Sequence, residues 1–408
     1  MSLPVPLINR ARTESVLQSF GVCALVLADP TSIYQATGFW PQTVAMGQMG
    51  ISFAVVPRDP ALPVTLVTSQ FMHYLYDLDD TPAGSPLRMI LYTAPNGLEG
   101  DAAPPLFFRG VEGGTPDPFE AITRQSTESL LATRAAHPDL KRALRAALAE
   151  SQIEGLVAVD SFIPADLFGD AFAYRPADPL LRRIRMIKTP AEITLLRHAA
   201  QNNAQAARAA VLTVGVGSHY EDLRRAFFAE TGRRGGVPLF ISTDSMGVRQ
   251  RDGVIREGRS FAIDAVSKYD HGDYGRTVFV GTPNDNVRHA LDAAIVANNA
   301  MAATLRPGLR YSDITQAGRE AVAKAGFDTT IACIAHSVGL FHTDEGFKDD
   351  VMNFSKADHL IEKDMVLSVD CPALFSDASG NVHLEELWLI TEDGCEPLND
   401  RDEPFIQI

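Results

Sequence analysis

Two apolar runs in this chain stop on a carboxylate: Phe261-Ala262-Ile263-Asp264 and Met365-Val366-Leu367-Ser368-Val369-Asp370. Short apolar runs of this kind read as buried strands. A carboxylate carried to the end of one is unfavourable unless something pairs with it. Asp273 follows Asp264 after a short gap, where the chain re-enters a strand through Tyr274-Gly275-Arg276-Thr277, and a hairpin there can bring the two oxygens together, although spacing alone does not establish that they converge. The stretch Val382-His383-Leu384-Glu385-Glu386-Leu387-Trp388 alternates, with His383 and Glu385 on one face and Leu384 and Glu386 on the other. His336 sits in an apolar setting, Ala335-His336-Ser337-Val338-Gly339-Leu340. A lone aspartate at a strand end is usually a turn cap, and a lone histidine among apolar residues is usually a satisfied core residue. The joint pattern asks for more. Converging carboxylates about 4 Å apart repel by roughly 4 kcal/mol at an effective dielectric near 20. A divalent ion, or two about 3.5–4 Å apart, removes that penalty and activates water. Oxygen donors with one imidazole suit Mn, Fe, Co or Zn better than Ca.

At 408 residues the chain is long enough for two domains. With 46% hydrophobic and 21% charged residues it can bury a large core. A net charge of −15 argues against nucleic acid and anionic membrane as partners and reads as a solvated acidic surface. Cys23, Cys333, Cys371 and Cys395 form no C-x-x-C pair, which excludes the usual cysteine zinc sites and fits a reducing compartment. The opening MSLPVPLINR has no basic segment leading into an apolar one, and no stretch has the 18 or so apolar residues that cross a bilayer. The expected location is the cytoplasm.

The organisation changes along the chain. Residues 1–170 read as an α/β unit, with strands at Val22–Leu27, Ile51–Val56, Val64–Val67 and Val157–Val159 and a helix at Leu140–Leu148. Residues 93–118, rich in Pro, Gly and Asp, read as irregular surface. Residues 180–408 read as α+β, with long helices on a mostly antiparallel curved sheet. Thr189-Pro190-Ala191-Glu192 is a capping box with proline at the first helical position, opening a helix to about Leu212. Ser218-His219-Tyr220-Glu221 predicts a second box, with Gly232 closing its helix. Helices at Asp285–Leu305 and from a Ser312 cap to Gly326 follow, with strands at Phe261–Val266, Tyr274–Gly281, Met365–Asp370 and Val382–Ile390. Gly215-Val216-Gly217 lacks the third glycine of a dinucleotide loop, and there is neither a G-x-S-x-G element nor a P-loop.

The order Asp264, Asp273-Tyr-Gly-Arg-Thr, His336-Ser-Val-Gly-Leu, Met-Val-Leu-Ser-Val-Asp370, Val-His-Leu-Glu385-Glu resembles the pita-bread metallopeptidase family. That family includes methionine aminopeptidase, Xaa-Pro aminopeptidase, prolidase and the metal-free creatinase. Arg185-Met-Ile-Lys-Thr-Pro-Ala-Glu-Ile resembles the segment opening the catalytic domain in the creatinase and prolidase branch. The resemblance covers roughly residues 180–395; the N-terminal part fits the branch in size and α/β character. It implies one or two divalent ions (Mn, Zn, Fe or Co), with Asp264 and Asp273 on one ion, His336 and Asp370 on the other, and Asp273 and Glu385 bridging. It also implies a metal-dependent hydrolase of the Xaa-Pro dipeptidase or aminopeptidase type, in which water between the ions attacks an amide carbonyl, and a homodimer.

Three departures bear on that expectation. The family usually has Glu where this chain has Asp370, so the donor oxygen retreats by about 1.5 Å and the second ion is expected to be weak or displaced; restoring Glu there should tighten it. The gap between Asp264 and Asp273 is shorter than in the family, and His271, two residues before Asp273, is a candidate extra ligand or proton carrier. The family's substrate-binding histidine would fall within Met246-Gly247-Val248-Arg249, where there is none; His342 is a candidate for the second active-site histidine, but Thr343-Asp344 follows it where the peptidases usually have Glu-Pro. Arg249 and Arg251 then become candidates to clamp an anionic group, or are solvated loop charges. Two rival readings remain: a pita-bread enzyme recruited to cleave a C–N or related bond in a small non-peptide molecule, and a catalytically dead binding homologue.

Overall fold

The computed structural model describes residues 7–76, 87–94, 114–115, 117–244, 246–247, 253–268, 271–348, 357–373, 380–399, 401 and 403–408, the side chains of 45, 76, 94, 170, 246 and 247 excepted. Its contacts divide into two units, Met1–Ile184 and Arg185–Ile408.

In the first unit, strands β1 (Ala24–Leu27), β2 (Phe53–Pro57), β3 (Val64–Ser69), β4 (Leu87–Ala94), β5 (His137–Asp139), β6 (Val157–Val159) and β7 (Tyr174–Pro176) form one sheet. Their order is β5-β4-β3-β2-β1-β6-β7, antiparallel across β1–β2 and β2–β3 and parallel elsewhere. Helices begin where the sequence supplies caps: Asp29 accepts the backbone N–H groups of Thr31 and Ser32 ahead of α1 (Pro30–Thr37), and Asp139 accepts that of Arg142. The unit runs on past 170, because Ala177, Leu180, Leu181 and Ile184 complete the core formed by Leu25, Leu27, Ile33 and Leu66. Most of the stretch read as irregular surface, 95–113 and 116, lies outside the described residues.

The second unit is built on strands β8 (Val237–Thr243), β9 (Met246–Gly247), β10 (Phe261–Lys268), β11 (Gly272–Phe279), β12 (Ile334–Ser337), β13 (Val366–Asp370) and β14 (Glu385–Ile390), in the order β12-β13-β14-β11-β10-β8-β9. The short strands β15 (Cys395–Pro397) and β16 (Phe405–Gln407) pair with β14 and β11. All pairings are antiparallel except β11–β16. Four helices, α2 (Pro190–Val211), α3 (Tyr220–Arg233), α4 (Asp285–Thr304) and α5 (Tyr311–Lys324), supply the other half of the core.

The box at Thr189 forms as expected: Thr189 Oγ1 accepts from the Glu192 N–H at 3.2 Å, and Glu192 accepts from the Thr189 N–H at 2.7 Å. Two later helix starts differ from expectation. Ser218 is diverted, its hydroxyl accepting the Gly215 N–H, so α3 is capped at His219, whose N–H donates to Asp222, and the helix runs through Gly232 to Arg233. Ser312 likewise donates to Asp358, while the Arg310 N–H donates to Asp313 one turn into α5. Strand limits shift as well. β11 begins at Gly272 rather than Tyr274, and an added Cβ at Gly272 would lie 2.4 Å from that of Asn203 on α2, so the glycine lets helix and sheet approach closely. β14 begins at Glu385; Val382 makes only an isolated bridge to Ala373.

Candidate metal centre

The register of the second sheet aligns the acids. Asp264 on β10 faces Gly275 on β11, Gly275 faces Glu385 on β14, and Glu385 faces Asp370 on β13. Directly opposed residues share a face, as do residues two apart on a strand. Asp273, two before Gly275, is therefore on the same face, and so is His336, which pairs with Ser368 two before Asp370. The distances follow. Oxygens of Asp264, Asp273 and Glu385 lie within 4.8 Å of one another, as do donor atoms of Asp370, His383 and Glu385, and those of Asp273, His336 and His342. His336 Nε2 is 3.5 Å from Glu385 Oε1 and 3.8 Å from Asp273 Oδ2. Ser368 donates to Glu385 Oε1 at 2.6 Å.

This cluster is poorly neutralised by the protein. Asp273 is fully buried, and its Oδ1, its Oδ2 and Oδ1 of Asp264 accept no hydrogen bond. The imidazole nearest Asp273 is His342, whose Nε2 lies 3.2 Å from Oδ2. Burial, then the Glu385 charge, pushes Asp264 up to about 7 and Asp370 upward; burial, Glu385 and Asp264 push Asp273 well above the usual carboxylate range. Glu385 alone is held down: burial works against its charge, but the His336 hydrogen bond, the His383 and His336 charges and the Ser368 hydroxyl outweigh it. Sealed carboxylate oxygens without donors, gathered with imidazoles, are the donor set that a divalent transition ion fits.

The reverse face of the same strands carries a supporting pair. Arg276 is buried, donates to Glu386 at 3.0 Å and also to the backbone oxygens of Gly275 and Glu385 at 2.8 and 2.9 Å. It thereby ties the backbones of β11 and β14 together where Gly275 meets Glu385.

Of the residues singled out in the sequence, Asp264, Asp273, His336, Asp370, Glu385 and His342 are brought together. His342 stacks on His336 with ring centroids 5.1 Å apart and keeps 38% of its side chain exposed. His271 lies in the turn before β11, where its N–H donates to Gly339; the chain is not extended there, and His271 joins none of the donor groups among the described residues. Burial, then the charges of Lys268 and His342, pushes its imidazole down to about 4. Arg249 and Arg251 lie outside the described residues. His383 was absent from the candidate ligands, yet its Nε2 is 2.8 Å from Asp370 Oδ1 and 3.5 Å from Glu385 Oε2. The alternation that put it on the Glu385 face was the signal that could have found it.

Residues 194–392 match the model of Metallopeptidase family M24. The C-terminal unit of this chain belongs to that family. Among M24 relatives, a Xaa-Pro dipeptidase of Pyrococcus furiosus is 25% identical over 254 residues, covering 57% of this chain and 68% of that protein. An ectoine hydrolase of Halomonas elongata is 30% identical over 170 residues, 42% of this chain and 41% of that protein. The structure of the prolidase from Pyrococcus furiosus matches with a TM-score of 0.65 at 17% identity, over 96% of this chain and all of that one. The fold is accordingly the pita-bread sheet with an N-terminal α/β unit, and the C-terminal unit is of the M24 hydrolase family. No helix among the described residues is long and apolar enough to cross a membrane.

Proposed function

We propose that this chain is a metal-dependent hydrolase of the Xaa-Pro dipeptidase or aminopeptidase type, holding one or two divalent ions on Asp264, Asp273, His336, Asp370 and Glu385. The observation that carries the reading is Asp273, whose two buried oxygens have no hydrogen-bond donor although Asp264 and Glu385 stand beside it. Ions bound there would polarise the scissile carbonyl and acidify the attacking water. The chain's own residues supply the rest. Arg276 and Ser368 fix Glu385 from either side, keeping its carboxylate in place. His342 is the imidazole of the cluster that reaches solvent, and its Nε2 is placed to hand a proton to a leaving nitrogen. The Xaa-Pro dipeptidase relative supports this substrate class.

A second reading, hydrolysis of a small non-peptide amide, is favoured by Met246-Gly247: the start of the segment where the family's substrate-binding histidine would fall is a short edge strand without one. The ectoine hydrolase relative points the same way. Assaying the metal-stripped protein, with and without added Mn(II), against a panel of Xaa-Pro dipeptides and a panel of small cyclic and acyclic amides decides between them. Mn-dependent release of proline supports the first reading. Amide cleavage with every dipeptide left intact replaces it with the second, and inactivity on both panels in protein that binds Mn(II) defeats both.

A further inference from the structure

We propose that His383 is itself a metal ligand through Nε2, joining Asp370 and Glu385 on one ion; this rests on the metal-centre reading above. Asp370 is the position where the side chain is one carbon shorter than the family usually provides, and His383 is what stands beside it. Nε2 lies 2.8 Å from Asp370 Oδ1 and 3.5 Å from Glu385 Oε2. Donors on adjacent corners of an octahedral ion at about 2.1 Å lie roughly 3 Å apart, so these separations are those of neighbours in one coordination sphere.

The ring's other nitrogen fixes which end is available. Nδ1 is 2.9 Å from the backbone oxygen of Ile263. A carbonyl only accepts, so Nδ1 carries the proton, and in the neutral ring the Nε2 lone pair faces the two carboxylates. A lone pair aimed at anions is repulsive unless a proton or a metal ion lies between them. Ligating histidines are characteristically held this way, the far nitrogen donating to a carbonyl while the near one binds the ion.

The surrounding chain is shaped to hold the imidazole. A Cβ added at Gly275 would lie 2.5–2.7 Å from the His383 ring atoms Cε1, Nδ1 and Nε2, closer than any real contact. The glycine at the centre of the acid row is thus the space the ring occupies. The backbone of His383 is also pinned, its N–H donating to the Thr277 hydroxyl at 3.0 Å and its carbonyl accepting from it at 3.2 Å. A histidine with its backbone tied, its far nitrogen tied and a glycine cleared for its ring has Nε2 as its remaining polar atom, and that atom meets Asp370 and Glu385.

The test uses the full chain, stripped with chelator and titrated with Mn(II) alone, read by calorimetry and by pulsed electron paramagnetic resonance of the bound ion. In His383→Gln one ion should bind at least tenfold more weakly while the other is retained, with the loss of one directly coupled nitrogen. A His342→Gln chain, whose altered side chain is part-exposed, provides a background that leaves the His383 site whole and should still show two coupled nitrogens, from His336 and His383. If His383→Gln binds Mn(II) as tightly as the wild type or more tightly, His383 is instead a protonated partner of Asp370 and the assignment is overturned. A single coupled nitrogen in the His342→Gln background overturns it independently of whether His383→Gln folds. Failure of the wild-type chain to take up Mn(II) at all overturns the metal-centre reading and this assignment together.

Discussion

Asp273 has no exposed surface and neither of its oxygens accepts a hydrogen bond, so its charge is expensive to keep unless a cation faces it. Asp273→Ala should therefore lower kcat/KM by more than about 100-fold, the upper end of what removing an outer-sphere partner does, while circular dichroism shows the fold unchanged; near-normal turnover would mean the site lies elsewhere. Asp370 leads to a revised expectation. From the sequence, restoring glutamate there tightens the second ion. With the His383 ring 2.8 Å from Oδ1, a side chain longer by about 1.5 Å runs into that ring. Asp370→Glu alone should weaken Mn(II) binding, and Asp370→Glu with His383→Ala should recover it, a coupling that calorimetric titration of the two single variants and the double variant measures directly. Additive effects would show that the two side chains do not share an ion. Five residues of the proposed centre were legible as candidates because a carboxylate or imidazole stood among apolar neighbours and the motifs came in the order of a known family. His383 was not, because a histidine in an alternating strand looks ordinary until Gly275 is seen to make room for it.

At the level of strands and helices, the site depends on a register, and Gly275 is the position where three strands meet it. Gly275→Ala should destabilise the metal-stripped chain by about 1–3 kcal/mol, as overpacking does, read from the urea midpoint; an unchanged midpoint would mean the His383 ring has room to move aside. Behind the same strands, Arg276 and Glu386 are both almost fully buried. Replacing Glu386 with Gln leaves the guanidinium without its anion, and breaking a buried pair in this way should lower stability by about 3–5 kcal/mol, measured by the same denaturation. A loss within about 0.5 kcal/mol, the level of an exposed pair, would show that solvent reaches the Arg276 guanidinium and takes over. Elements were readable where hydrophobic period and caps agreed, as at Thr189. They were misplaced where a nearby polar group competed for the capping side chain: Ser218 is taken by the Gly215 N–H and Ser312 by Asp358, neither visible from local spacing.

For the molecule as a whole, the buried acids make stability depend on pH in a direction that metal should change. In the stripped protein Asp264 is raised to about 7, so near neutral pH the folded state holds a proton that the unfolded state has released. His383, raised to about 10 because Asp370, Glu385 and Asp264 outweigh its burial, acts in the same sense. His271, lowered to about 4 by burial, opposes both, but only below its unfolded value of 6.5. From pH 6.5 to about 8.5 the chelated protein should therefore lose stability as pH rises, because the native state binds more protons than the unfolded one. A thermal-melting series with excess chelator checks this; stability rising over that interval would contradict the burial of the acids. The two-unit organisation and the family were accessible from the order of the motifs, since five short segments spread over the second unit met one register. The substrate was not, because the segment in which the usual histidine is missing says only what does not bind there.

The most direct test of a metal centre compares the melting of stripped wild-type and Asp273→Ala protein on titration with Mn(II). The wild-type chain should take up one or two ions and gain about 2.7 kcal/mol when free metal stands near 100 times the dissociation constant, while Asp273→Ala gains little. A wild-type midpoint unmoved by Mn, Co, Fe or Zn would contradict the account.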